Sequence, residues 1–73
     1  MDVKKFRSIM ILHGDNQKKL ASYLGISQQR FSAKINEKNG AEFSKSEMTL
    51  IKEKYHLTAT QINDIFFSNF VSL

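Results

Sequence analysis

Gln17 to Asn36 reads QKKLASYLGISQQRFSAKIN, and the rest of the chain makes sense around it. Leu20 and Leu24 stand four apart on one helix face, so the spacing predicts a helix over Gln17 to Leu24 with that face in a core. Ala21 is small where a following helix must cross closely. Gly25 takes the left-handed backbone that ends a helix sharply. Ile26 is apolar inside the turn and is expected to plug the core beneath the corner. Ser27 is a preferred N-cap for a second helix running to about Asn36. Phe31 and Ile35 give that helix its buried side. Two short helices joined by such a turn make a helix-turn-helix.

The outward face of the second helix follows from its buried one. At about 100° per residue, Gln29, Ala33 and Asn36 lie opposite Phe31 and Ile35, flanked by Arg30 and Ser32. Ser27 and Gln28 occupy the exposed N-terminal tip. Gln can pair in two bonds with adenine in the major groove, and Arg can do so with guanine. Ser27, Gln28, Gln29, Arg30, Ser32 and Ala33 are therefore the candidate base-reading residues. Lys18 and Lys19 open the first of the two helices, where free N–H groups and the helix dipole favour a phosphate, and Gln17 can donate to the same group. Lys34, Lys38 and Asn39 complete the candidate phosphate contacts. The plainer reading is that these lysines are only solvated.

The 73 residues suffice for one domain and a modest core. With no Cys there is neither a disulfide nor a thiolate metal site to add stability. The formal charge is +4, unevenly spread. Residues 1–38 carry eight basic and three acidic side chains, +5; residues 39–73 carry three and four, −1. The excess falls in the half with the helix-turn-helix, as contact with phosphate requires, although a merely soluble surface gives the same excess. Ile9 to Leu12 is too short an apolar run for a signal core or a membrane span. A cytoplasmic protein without membrane contact is the expectation. The chain has no Pro and three Gly, which suits an all-helical domain.

Around the central stretch, Val3, Phe6, Ile9 and Met10 predict a first helix from Asp2 to about His13, ended by Gly14. Asp15 or Asn16 can cap the next. Residues 37–43 read as a loop, with Phe43 as a core plug. Ser44 and Glu47 form a capping-box pattern for a fourth helix reaching about Tyr55, with Met48, Ile51 and Tyr55 inward and Leu50 beside them. Thr58 and Gln61 repeat the pattern for a short fifth helix with Ile62, Ile65 and Phe66 buried. The domain is read as residues 1–67. The end, 68–73, continues an apolar series: Phe66, Phe67, Phe70, Val71 and Leu73 are more than one helix stripe can bury. Either the tail folds over the core or these residues form an interface, for a second copy or for a different protein.

From Phe6 to Phe67 the chain resembles the small Cro/repressor-type helix-turn-helix proteins of temperate phages of Gram-positive bacteria. The likeness rests on Gln17 to Asn36, on Phe43-Ser44-Lys45-Ser46-Glu47, and on Thr58-Ala59-Thr60-Gln61-Ile62 with the ending through Phe67. It implies a five-helix lambda-repressor-like fold and a role in the lysis–lysogeny decision. It implies base reading at Ser27, Gln28, Gln29 and Arg30, with Ser32 and Ala33 further along, and phosphate contact at Gln17 and Lys18. Ala33 departs from the pattern, since it offers only a methyl contact. Some proteins of this kind look like modulators of repression, acting with or on a CI-type repressor; the apolar tail suits such a contact, and on that reading the surface of the third helix binds a protein rather than DNA.

Other classes find little support. Two separated His, no Cys and no Gly-rich phosphate cradle leave no constellation with catalytic or metal-ligand spacing. No enzyme, metal or cofactor is expected. The expected partners are double-stranded operator DNA, a second copy of the chain, and a CI-type repressor.

Overall fold

The computed structural model of the chain describes residues 1–68. Among these residues it is all-helical: α1 is Val3–Leu12, α2 Gln17–Leu24, α3 Gln28–Ile35, α4 Lys45–Lys54 and α5 Ala59–Phe66. Each helix begins where a short polar side chain replaces the missing intrahelical partner of an N–H group. Asp2, Asn16, Ser27, Ser44 and Thr58 accept from the backbone N–H three residues on. Both capping boxes form, Ser44 with Glu47 and Thr58 with Gln61. Of the two cap residues expected before α2, Asn16 takes the role.

Gly14 and Gly25 turn the chain after α1 and α2, and a non-glycine residue does so after α4. Gly25 takes φ +75° after α2, and Ile26 N–H reaches back to the Ala21 carbonyl at 3.0 Å. After α4 the same closure runs from Leu57 N–H to the Lys52 carbonyl at 2.9 Å, but the left-handed residue is His56, with φ +53°. The loop of residues 37–43 holds a short 3-10 turn, Lys38–Gly40, with Glu37 and Asn39 also left-handed.

The core is assembled from one stripe of each helix. Phe6, Leu20, Phe31, Ile35, Ile51 and Ile65 are fully buried. Full burial of such a side chain is worth about 1.5–3 kcal/mol. Phe43 is the plug the sequence suggests, edge-on to Phe6 at 5.8 Å and to Phe31 at 5.4 Å. Leu24 and Ile26 pack against the core but are only partly buried. Leu50, read as lying beside the inward stripe, is exposed, and Glu47 is the buried residue on that side of α4.

Phe66, read both as part of the buried stripe of the fifth helix and as an interface residue, is partly buried against the core. Its ring lies 5.6 Å from that of Phe6 and 5.7 Å from that of Phe43, so the core uses it. Phe67 follows at 38 % exposure. Phe70, Val71 and Leu73 lie outside the described residues.

Candidate nucleic-acid interface

α3 is held by its inner face and presents its first turn outward. Phe31 and Ile35 are fully buried, while Ser27, Gln28, Gln29 and Arg30 are exposed. Ser32 and Ala33 are half-buried. The Ser27 hydroxyl oxygen accepts from Arg30 N–H at 3.1 Å, so this side chain fixes the helix start while keeping its own O–H to donate. Asn36 closes the far end, donating from Nδ2 to the Ser32 carbonyl at 3.0 Å. The outward face thus offers Gln28, Gln29 and Arg30 as the long side chains with free donors and acceptors.

The start of α2 supplies the second part. Asn16 Oδ1 accepts from Lys19 N–H at 2.9 Å. Lys18 and Lys19 are exposed and Gln17 is half-buried. Lys19 Nζ leans toward the Gly14 carbonyl at 3.5 Å. Asn16, Lys18, Lys19 and Ser22 line a shallow depression beside the helix start. Gln17 to Asn36 contains four cations and no carboxylate. Lys18, Lys19 and Arg30 have no carboxylate in ion-pair reach among the described residues. Lys38 and Asn39 are exposed on the turn after α3.

Lys34 does not belong with the exposed cations. Its Nζ donates to both carboxylate oxygens of Glu47, at 2.6 and 2.8 Å, and the two side chains are only 13 % and 12 % exposed. The expected phosphate contact is instead a tie between α3 and α4. Glu47 also accepts from Ser44 N–H at 2.8 Å. Burial alone would raise the Glu47 carboxyl. Lys34 and the Ser44 amide and hydroxyl outweigh it and hold the group below the usual carboxylate range.

A second tie fixes α2. Tyr55, at the end of α4, donates its O–H to Asp15 Oδ2 at 2.5 Å, and Lys54 Nζ is 3.6 Å from the same oxygen. Burial, then the Asp15 bond and charge, push the Tyr55 hydroxyl well above its ordinary range. His13 stacks on the Tyr55 ring at 4.7 Å, and Lys54 lies 4.6 Å from the Tyr23 ring centre. These are the site-building residues that pattern reading missed. Asp15 and Tyr55 are forty positions apart, and Lys34 and Glu47 thirteen, so no local spacing announces either pair.

Among the described residues no group of three or more His, Cys, Asp or Glu is placed to hold a metal ion, and no helix is long and apolar enough to cross a membrane. Comparison with protein-family models, with curated proteins and with solved structures gave no match.

Proposed function

We propose that this chain is a transcriptional regulator of the Cro type. It binds operator DNA in the cytoplasm of a bacterial host, as part of a phage lysis–lysogeny switch. α3 lies in the major groove and the start of α2 meets the phosphate backbone. A second copy on a paired half-site would complete the operator complex. The observation that carries the reading is the face built by α2 and α3. It is free of carboxylates, puts Gln28, Gln29 and Arg30 on the exposed first turn of α3, and leaves Lys18 and Lys19 exposed at the start of α2 with no carboxylate in ion-pair reach among the described residues. Phosphate contacts position such a protein, and the side chains on the helix specify sequence. The test is a titration against duplexes from the gene's own promoter region and against random duplex, at two salt concentrations. Tighter, salt-sensitive binding to one promoter duplex supports the reading; equal binding to all duplexes removes it.

A second reading takes the chain as a modulator of repression that binds a CI-type repressor. The exposed ring of Phe67, at the head of an apolar tail sequence, favours it. Truncation after Phe66 should then abolish the complex with the repressor while leaving the helical content intact. Undiminished binding by the shortened chain would dismiss the tail from that role.

A further inference from the structure

α1 turns an unusual face to solvent. Phe6 and Met10 are buried, so at about 100° per residue Lys4, Ser8 and Ile11 stand on the far side, with Arg7 on one flank and Leu12 on the other. Ile11 is 74 % exposed and Leu12 80 % exposed. Single exposed aliphatic residues are ordinary, but two adjacent ones at this exposure, beside cations, make a distinct patch. Lys4 and Arg7 have no carboxylate in ion-pair reach among the described residues. Lys5 reaches Asp64 only at 3.9 Å, in the open. The aliphatic pair also rims a groove on either side of the helix. Ile11 borders one between α1 and the start of α2, and Leu12 borders one between α1 and α5.

We infer that the outer face of α1, with Ile11 and Leu12 at one end and Lys4 and Arg7 at the other, docks an acidic amphipathic segment of another protein. Charge selects this occupant. A second copy related by a two-fold axis through Ile11 and Leu12 would cover the aliphatic pair but leave Lys4 and Arg7 without a carboxylate partner. A nucleic acid would leave Ile11 and Leu12 without an apolar partner. A lipid surface needs a broad apolar stripe, and α1 spends the rest of its apolar side chains on the core. A partner helix with an apolar ridge and flanking carboxylates satisfies both ends of the face. This surface is separate from Gln28, Gln29 and Arg30, its Ile11 groove reaches Asn16 and Gln17 at the start of α2, and the inference does not depend on DNA binding.

The test maps amide shifts by NMR on the full chain. The probe is a synthetic amphipathic helix with Leu on one face and Glu on the other, with the same peptide carrying Gln for Glu as control. Saturable shifts confined to α1 and the residues bordering its two grooves are expected with the acidic peptide. Changing Ile11→Ser and Leu12→Ser together should weaken binding about tenfold or more. Changing Lys4→Gln and Arg7→Gln should weaken it and flatten its salt dependence. All four side chains are exposed, so the thermal midpoint should hold. Operator binding by the Ile11/Leu12 variant should also be unchanged, which separates this inference from the DNA reading. Equal binding of the Gln peptide, shifts centred on α3 or α4, or undiminished binding by the Ile11/Leu12 variant would overturn it. So would self-association that the same variant abolishes, or preference of this face for phosphatidylserine vesicles over the peptide.

Discussion

In the proposed DNA complex Gln29 and Lys18 would make two kinds of contact, and their substitution separates reading from attraction. Gln29→Ala removes a group able to pair with a base edge and should cost about 1–3 kcal/mol on the operator while leaving random duplex nearly unaffected. Arg30→Ala should lose preference in the same way, at a different base. Lys18→Ala should weaken every duplex alike and lower the salt slope by about one, as one phosphate contact is lost. Parallel titrations of the three variants check this. His56 poses a residue-scale question of stability. It holds φ +53° at the end of α4, where a side chain strains the backbone. His56→Gly should raise the unfolding free energy by up to about 1 kcal/mol, and denaturant melts would show it. Gly25→Ala, at φ +75°, should lower it by a similar amount.

Helices were legible in the sequence because what starts and ends them is local. Ser27, Ser44 and Thr58 each cap within three residues, and Gly25 turns the chain by its own conformation. The orientation of α3 was legible through Phe31 and Ile35 for the same reason. What joins the helices was not. Lys34 is one more exposed cation when read on its helix, and only the arrival of Glu47 on α4 takes it inward. Tyr55 reads as an apolar stripe residue until Asp15 is placed beneath its hydroxyl. Ile11 and Leu12 read as part of an apolar run, yet the helix turns them away from the face that buries Phe6 and Met10. The Lys34–Glu47 tie also makes a pH prediction. The carboxyl is held below its usual 4.5, so its ionised form favours the fold. That stability is fully present above pH 4.5 and is lost as the pH falls through the lowered value. Glu47→Gln keeps an acceptor for the Ser44 amide but loses the charge. It should cost about 1–3 kcal/mol at neutral pH and almost nothing in acid, which melts at a series of pH values would reveal.

At the scale of the whole molecule, one small core serves both folding and the proposed interface. Phe31 fills the space beneath α3 and meets Phe6 and Phe43, so the helix that would read DNA is also a wall of the core. Phe31→Ala should cost about 3–5 kcal/mol. A domain of this size has only about 5 kcal/mol or somewhat more to lose, so the variant should be largely unfolded near its former working temperature. Circular dichroism would show the loss of helix. The exposed side chains on α3 carry no such burden, which lets the interface be altered without dismantling the fold. The most direct test of the account is therefore the ratio of operator to random-duplex affinity, for the native chain and for Gln29→Ala, at one fixed salt concentration. The account predicts a large ratio that falls about tenfold or more in the variant, with an unchanged thermal midpoint. A native chain that binds both duplexes equally, or a variant that keeps the full ratio, would contradict base reading by α3.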